Sequence, residues 1–313
     1  MGMIDGYERK IDYLRVSVTD RCNLRCVYCM PESGVPQIPH SSILQIEEIE
    51  KLVTLIDSAI GLNKIRITGG EPLVRGGIVS LVQSLSLIAE TVLTTNGVLL
   101  SDYAADLQAA GLSRVNISLD TLSDSVMQQI TRREVSLKLI EEAIQNAKAN
   151  NLDPIKINCV ILDGVNTDEL SDMVKWSKSQ GTTIRFIEHM PMTGSVGGFV
   201  SKKRIIKELS ANLGAATQYS VEGTAEMYET ASGHSFGVIA PVAGGMCASC
   251  NRLRLTAEGE LLPCLAGGRA LQIGTMLRAD TADDVIIGEI LKLVKEKPEF
   301  GACGGVSMWR IGG

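Results

Sequence analysis

Short β-branched runs that alternate with segments of helical period constrain the fold of this chain more than any other feature. Between these runs, apolar residues recur three and four positions apart, as on one face of a helix. Alternating strands and helices form right-handed βαβ units around a parallel sheet. We therefore expect an α/β fold, an incomplete (βα)6 TIM-like barrel, with catalytic groups at the carboxyl ends of the strands. The six predicted strands are 14–19, 64–68, 91–95, 114–119, 155–161 and 183–187.

The alternation stops after Met190, where a glycine-rich segment begins. A helix is predicted at 202–213, and an amphipathic stretch at 282–295 precedes a glycine-rich tail. We predict two units: a barrel at 1–190, and a C-terminal region at 191–313 that carries a second metal cluster, binds substrate and ends in a Gly-Gly tail.

Composition and charge exclude several classes of protein. The chain has no apolar run long enough to span a bilayer and no apolar targeting segment near residue 1, so we expect a cytoplasmic protein without membrane contact. A net charge of −6 argues against a nucleic-acid surface, although converging arginines could still hold a small anion. Eight cysteines without a secretory signal favour metal or redox chemistry over disulfides.

The first cysteine group follows the first predicted strand and has the spacing C-x3-C-x2-C, formed by Cys22, Cys26 and Cys29. Three thiolates leave one iron of a four-iron cluster unligated, and an open iron can chelate an amino and a carboxylate group. A zinc knuckle or unrelated buried thiols are the alternatives, but zinc would require a fourth ligand nearby. A Gly69-Gly70-Glu71-Pro72 segment follows the second predicted strand, where glycines allow close backbone approach and a carboxylate suits an ammonium group.

The second cysteine group has the spacing C-x2-C-x13-C and consists of Cys247, Cys250 and Cys264. It fits either a second open cluster or a structural zinc site whose fourth ligand is Cys303 or His234. Arg252 and Arg254 alternate between its second and third cysteines, so both project to one face of an extended strand. A solvated charged strand is the alternative interpretation of this pair.

The first cysteine motif and its Gly-Gly-Glu-Pro partner resemble the signature of radical S-adenosylmethionine enzymes. Over nearly the whole chain, the sequence more closely resembles the GTP 3′,8-cyclase family, which acts in molybdenum cofactor (molybdopterin) biosynthesis. The segments that carry this resemblance are the two cysteine groups, residues 14–20, 66–72, 94–97, 116–120, 156–158 and 185–188, and the terminal Gly312-Gly313.

The resemblance implies roles for individual residues. It implies that Cys22, Cys26 and Cys29 and then Cys247, Cys250 and Cys264 hold two 4Fe-4S clusters. It places Tyr28, Gly70, Glu71, Ser118 and Met190 at the S-adenosylmethionine site, and Arg15, Arg66, Thr94, Lys156, Arg252, Leu253 and Arg254 at the GTP site. It assigns Arg252, Arg254, Gly312 and Gly313 to catalysis.

The implied reaction is the first step of molybdopterin synthesis. Reductive cleavage of S-adenosylmethionine yields a 5′-deoxyadenosyl radical, which removes hydrogen from ribose C3′ of GTP before the sugar attacks guanine C8. The implied product is (8S)-3′,8-cyclo-7,8-dihydroguanosine 5′-triphosphate. Implied partners are an external one-electron reductant, a second copy of the chain and a downstream cyclic pyranopterin monophosphate synthase. The alternatives are a peptide-modifying maturase with extra clusters and a non-catalytic metal-binding module.

Overall fold

The computed structural model describes residues 3–34, 38–190, 198–242, 246–266, 268–301 and 308–311. The strands are β1 (Met3–Ile4), β2 (Lys10–Ile11), β3 (Tyr13–Ser17), β4 (Lys64–Thr68), β5 (Glu90–Thr95), β6 (Arg114–Ser118), β7 (Lys156–Ile161), β8 (Thr183–Glu188), β9 (Ala216–Glu222), β10 (Ala225–Thr230), β11 (Ser235–Ile239), β12 (Arg252–Leu255) and β13 (Leu261–Leu262). The α-helices are α1 (Ile46–Ile60), α2 (Ile78–Ser86), α3 (Leu100–Ala109), α4 (Asp124–Thr131), α5 (Leu137–Ala149), α6 (Leu170–Ser179), α7 (Lys202–Leu213), α8 (Ile273–Arg278), α9 (Asp283–Lys295) and α10 (Met308–Ile311).

The predicted barrel is confirmed. Strands β3 to β8 lie side by side in chain order, each parallel to the next, with helices in the connections between them. The six predicted strands correspond to β3 to β8 with small differences at their ends, because side-chain pattern does not fix the terminal residue. We call the two ends of these strands the amino end and the carboxyl end of the barrel.

Strands from the C-terminal half extend this sheet at both edges. β12 pairs in parallel with β3, and β11 pairs in parallel with β8. Antiparallel β13 then joins β12, and the antiparallel β10 and β9 follow β11. The described strands other than the β1–β2 hairpin therefore form one sheet, in which residues on either side of position 190 are neighbours. The domain boundary at residue 190 stays a prediction.

The barrel strands separate an apolar outer layer from a polar interior. On β3, Leu14 and Val16 are fully buried in the main hydrophobic cluster, together with Leu52 and Ile56 of α1. Because successive side chains of a strand point to opposite faces, Arg15 lies on the interior side. Helices α7 and α9 match the stretches predicted at 202–213 and 282–295. Among the described residues, no helix has the length and apolarity needed to cross a membrane.

Candidate active site

The first cysteine group lies in the loop after β3, at the carboxyl end of the barrel as predicted. The loop turns tightly, since the Cys29 and Met30 amides donate to the Cys26 carbonyl at 3.0 and 3.1 Å. The Leu24 amide donates to Sγ of Cys22 at 3.3 Å. Asn96, after β5, donates to the Asn23 side chain at 2.7 Å and so fixes the start of the loop. Because the three cysteines are close in sequence and the loop turns tightly, their thiols lie together in one loop.

The glycine pair packs against the backbone of this loop. The Gly70 amide donates to the Thr19 carbonyl at 2.7 Å, and the Glu71 amide donates to the Arg21 carbonyl at 2.8 Å. A Cβ at Gly69 would lie 2.9 Å from the Thr19 oxygen, and one at Gly70 would overlap the Arg21 carbonyl. The close approach that the glycines permit is thus to the chain's own cysteine loop, which they hold in place.

The carboxylate of Glu71 is fully buried and holds the same region together. It accepts from the Leu73 amide at 3.1 Å, the Thr95 hydroxyl at 2.8 Å and the Asn96 amide at 2.7 Å. Burial raises the pKa of Glu71 to about 7, although these hydrogen bonds lower it. Since three donors occupy the carboxylate, Glu71 shapes the loop that would receive S-adenosylmethionine.

A pocket opens beside the cysteine loop at the carboxyl ends of β5 and β6. Its lining includes Cys26, Tyr28, Asn96, Ser118 and Asp120, with apolar side chains such as Leu24, Met127 and Ile140 behind them. An aromatic face, apolar walls and a few polar groups suit a nucleoside. The pocket thus brings the predicted cofactor residues Tyr28 and Ser118 together with a cluster cysteine.

Asp120 is a site residue that the sequence pattern did not single out. Its Oδ2 accepts from the Tyr28 hydroxyl at 2.7 Å, and its Oδ1 accepts from the Val160 amide at 2.8 Å. Burial raises the pKa of Asp120 to about 6, and these two hydrogen bonds oppose the rise. Asp120 therefore fixes the ring of Tyr28 against the pocket.

The chemistry of the first three thiols fits an iron–sulfur cluster. Burial raises the pKa of Cys22 and Cys26, and it raises the pKa of Cys29 to about 12; a charge on Cys22 adds to the rise at the other two thiols. A cationic cluster would stabilise all three as thiolates. Among the described residues, no three His, Cys, Asp or Glu side chains are placed to hold a single metal ion. A cubane makes a different demand, because each thiolate would bind a different iron.

A row of arginines crosses the barrel interior below this pocket. The strand register places Arg254 of β12 beside Arg15 of β3, and Arg15 beside Arg66 of β4. Neighbouring strands lie about 4.8 Å apart, so three like charges stand side by side on one face. Burial, with the charge of Arg254, lowers the pKa of Arg15, while burial and Arg252 lower that of Arg254 to about 10. Such a row fits a polyanion bound between its members.

Further interior residues connect the arginine row to the opposite side of the barrel. Arg66 donates to the Thr94 hydroxyl at 2.9 Å, and Arg185 of β8 donates to Oδ1 of Asn158 at 2.8 Å. Asn116 lies between Arg66 and Arg185, and these two donors require its side-chain oxygen to face them. In that orientation the oxygen accepts from Arg66 at 2.7 Å and from Arg185 at 2.6 Å.

Two interior residues, Arg185 and Tyr13, were not predicted from the sequence. Arg185 lies in one of the resembling segments, and burial, with the charge of Arg66, lowers its pKa to about 10. Tyr13 receives a hydrogen bond from Arg66, and the cations Arg66 and Arg15 outweigh burial and lower its pKa to about 8. Alternation along β3 and β8 could have indicated both positions, because each lies opposite a core residue.

Two predicted GTP-site residues have neighbours that restrict their roles. Lys156, at the start of β7, pairs with Glu222 of β9, so an anion would have to compete with that carboxylate. Leu253 lies between the two arginines of β12, and its side chain is buried in the hydrophobic core on the opposite face. Any contact of Leu253 with a substrate would therefore be through its backbone.

The second cysteine group lies at the opposite end of the barrel from the first. Cys247 and Cys250 directly precede β12, which runs parallel to β3, and Cys264 follows the antiparallel β13. All three thiols are therefore at the amino end, which differs from the expectation that catalytic groups gather at carboxyl ends. The reason is that Cys247 and Cys250 precede a parallel strand instead of following it, and that β13 runs back towards the start of β12 before Cys264.

Charge around Cys250 favours a thiolate. Burial opposes ionisation, but the Arg252 guanidinium and the Lys297 ammonium lower the pKa of Cys250 to about 7. Of the two ligands considered for zinc, His234 exchanges a hydrogen bond with Ser232 at 2.9 Å, and Cys303 lies outside the described residues. Like the first group, the three thiols fit attachment to separate irons of one cluster.

The remaining predicted positions lie at the carboxyl end or outside the described residues. Met190 follows β8 and is half-buried, beside residues 191–197, which the structure does not describe. Gly312 and Gly313 also lie outside the described residues. The helix before them, α10, is held by Arg310, which pairs with Glu258 and Glu260 at 3.7 and 3.1 Å. These carboxylates stand at the turn after β12, at the carboxyl end of the barrel.

Two family models and several sequence relatives match this chain. The family model described as the radical SAM superfamily matches residues 16–177, and the model described as Molybdenum Cofactor Synthesis C matches residues 182–302. A protein of Thermodesulfovibrio yellowstonii named GTP 3′,8-cyclase is 43% identical over 307 residues, covering 95% of this chain and 95% of that protein. One of Desulforamulus reducens with the same name is 44% identical over 307 residues, covering 95% and 94%.

Among solved structures, the fold is similar to that of Streptococcus suis SuiB bound to S-adenosylmethionine. The TM-score is 0.67 at 13% identity, covering 95% of this chain and 74% of that one. At this identity the likeness shows the fold alone, whereas the two sequence relatives are 43% and 44% identical and match nearly the full length of this chain. The chain therefore belongs to the radical S-adenosylmethionine superfamily and, within it, to the GTP 3′,8-cyclase family.

Proposed function

We propose that this chain converts GTP to (8S)-3′,8-cyclo-7,8-dihydroguanosine 5′-triphosphate, the first step of molybdenum cofactor biosynthesis. The observation that carries the proposal is the arginine row Arg254–Arg15–Arg66 between two cysteine groups at opposite ends of one barrel. A triphosphate is the kind of ligand that offsets several neighbouring guanidiniums at once. The substrate would lie between the two clusters, within reach of the cofactor pocket.

The cofactors are S-adenosylmethionine and two 4Fe-4S clusters. Cys22, Cys26 and Cys29 would hold the first, and Cys247, Cys250 and Cys264 the second. When bound, these groups supply the one-electron cleavage of S-adenosylmethionine and the radical hydrogen abstraction that starts the reaction.

The chain's own residues position the reactants for that chemistry. Tyr28, fixed by Asp120, would back the adenine, and Ser118 lines the same pocket. Gly70 and Glu71 would shape the loop that receives the methionine portion, and Met190 would border the cofactor at the end of β8. Enclosing both reactants in one barrel restricts a reactive species to one C–H bond and excludes water.

The interior cations would bind and orient GTP. Arg15, Arg66 and Arg254 would grip phosphates, with Thr94 holding Arg66 in place. Arg252 precedes Arg254 on the same face of β12, next to the second cysteine group. Arg252 and Arg254 could thus reach the purine that this cluster would hold, and could assist ring closure. Lys156 would exchange Glu222 for a phosphate.

We also propose an environment and partners for this activity. The seven described cysteines are the six proposed cluster ligands and the buried Cys159, and none of them forms a disulfide. This suits a reducing cytoplasm. Cleavage of S-adenosylmethionine consumes one electron at the first cluster. The radical that remains after the sugar bonds to guanine C8 takes up a second electron and a proton to give the dihydro product, so an external one-electron reductant is required. We propose that the chain forms a homodimer and that its product passes to cyclic pyranopterin monophosphate synthase.

Anaerobic turnover tests this function. Reconstituted protein with about eight irons per chain, as two cubanes require, should convert GTP in the presence of reductant and S-adenosylmethionine. We expect 5′-deoxyadenosine together with the cyclised nucleotide, both identified by mass spectrometry. A fully loaded protein that makes no cyclised product from GTP would contradict the proposal, and about four irons with bound zinc would contradict the second cluster.

A further inference from the structure

We infer that Lys297 is a positioning residue of the second cluster: its ammonium group ties together the two segments that carry Cys250 and Cys264 and raises the reduction potential of the cluster they hold. The inference rests on the proposed function, because it takes these cysteines as ligands of a second 4Fe-4S cluster. Lys297 matches no motif, and none of the roles proposed above uses it.

The position of Lys297 connects both ligand segments. Its Nζ donates to the Arg252 carbonyl at 2.9 Å, two residues after Cys250, and to the Pro263 carbonyl, directly before Cys264. The side chain is only 2% exposed, so both hydrogen bonds are shielded from water. Because Arg252 starts β12 and Pro263 follows β13, the ammonium group bridges the two segments just beyond the backbone pairing of these strands.

The charge of Lys297 interacts favourably with two thiols of the second cysteine group. Lys297 forms no salt bridge within the described part of the chain. The negative groups that favour its charged form are Cys250 and Cys264. Burial lowers the pKa of Lys297, and ionised Cys250 and Cys264 counteract that effect. A buried cation is costly without a counter-charge, so thiolates of a bound cluster provide the partner that this site requires.

A second buried cation nearby shows the contrast. Arg9 donates to the Cys247 carbonyl at 2.9 Å and to the Glu299 and Pro298 carbonyls at 3.0 and 2.7 Å. Arg9, however, forms a buried ion pair with Asp5 at 2.7 Å, which neutralises it. Arg9 therefore contributes position without net charge, whereas Lys297 contributes both.

A fixed positive charge beside a cluster has a defined effect. Reduction adds an electron to the cluster, and a nearby cation stabilises the more negative form. Charge and hydrogen bonding around the ligands are known means by which proteins set iron–sulfur potentials. Removing the charge of Lys297 should therefore move the midpoint potential of the second cluster to a lower value.

The experiment isolates the second cluster in the full-length chain. In a Cys22→Ala, Cys26→Ala, Cys29→Ala background, only the second group can hold a cluster, whose potential is measured by redox titration with electron paramagnetic resonance. Lys297→Met and Lys297→Gln remove the charge, while Lys297→Arg keeps it. Lys295→Met is the matched control, since Lys295 also donates to a main-chain carbonyl, that of Ile4 at 3.0 Å, but is exposed.

The result expected is a lower potential for Lys297→Met and Lys297→Gln, and a potential close to that of the background for Lys297→Arg and Lys295→Met. If Lys297→Met fails to load a cluster that Lys297→Arg does load, the positioning role is supported directly. Equal potentials in all four variants would overturn the inference and leave the second cluster in place. A background protein without any iron–sulfur cluster would instead overturn the assignment of the second cysteine group, and the inference with it.

Discussion

The Tyr28 ring is held by a hydrogen bond from its hydroxyl to Asp120 at 2.7 Å. Asp120 is itself anchored, because it accepts from the Val160 amide and its carbonyl accepts from the Asn166 side chain at 2.8 Å. The cofactor pocket thus depends on a residue that follows β6, three strands away from the strand that leads into the cysteine loop.

We predict that Asp120→Ala weakens S-adenosylmethionine binding roughly tenfold or more, since leaving a buried donor unpaired costs about 1–3 kcal/mol. Tyr28→Phe should give a comparable loss, because it removes the same hydrogen bond while keeping the ring. Equilibrium binding of the cofactor to cluster-loaded protein measures both. Unchanged affinity in both variants would show that this hydrogen bond does not position the ring.

Some site residues could be predicted from the sequence and others could not. Cys22, Cys26 and Cys29 are close in the chain, so their spacing alone places them in one loop. Asp120 lies in a resembling segment, but its partner Tyr28 is far away in sequence, and only the folded β6 end brings them together. Lys297 follows an amphipathic helix, where a lysine ordinarily faces solvent, so no pattern marks it as buried.

At the scale of elements, strand register is what builds the cationic interior. Arg15 and Arg66 belong to consecutive strands of the barrel, and Arg254 joins them because β12 adds to the edge of β3. Alternation predicted the strands and their faces. β12 pairs with β3 across more than two hundred residues of sequence, and β11 pairs with β8 across about fifty. A local pattern does not reveal pairings over such distances.

We predict that Arg15→Met weakens GTP binding roughly tenfold to a hundredfold, because hydrogen bonds to charged groups contribute about 1.5–3 kcal/mol. Cofactor binding should be unaffected, since Arg15 lies below the pocket. Arg204→Met is the control, as Arg204 is an arginine of α7 that pairs with Asp163 and Glu208 outside the barrel. Equal affinities for GTP in the Arg15 and Arg204 variants would argue against the arginine row as the triphosphate site.

A second element-scale prediction concerns the tail. α10 is held at the carboxyl end of the barrel by Arg310, and Ile311 is buried, so the last described residues lie at the same end of the barrel as the cofactor pocket. Removing Gly312 and Gly313 should leave iron content and S-adenosylmethionine binding intact and sharply reduce the cyclised product. Arg310→Glu should act in the same direction, because it repels Glu258 and Glu260. Undiminished cyclisation by the shortened chain would remove the tail from the mechanism.

For the whole molecule, the arrangement is a barrel with a cysteine group at each end and cations between them. The first group and the cofactor pocket lie at the carboxyl end, and the second group lies at the amino end, beside Arg252. We propose that GTP spans this interior with its ribose towards the cofactor pocket and its purine towards the second cysteine group. This position of the ribose decides which C–H bond meets the radical.

Transfer of hydrogen from GTP to the cofactor fragment tests this position most directly. GTP carrying deuterium at ribose C3′ is turned over anaerobically, with GTP deuterated at C2′ as the matched control, and the 5′-deoxyadenosine is analysed by mass spectrometry. We expect one deuterium in 5′-deoxyadenosine from the C3′ substrate and none from the C2′ substrate. Unlabelled 5′-deoxyadenosine from the C3′ substrate, formed alongside the cyclised product, would contradict the proposed position of the ribose.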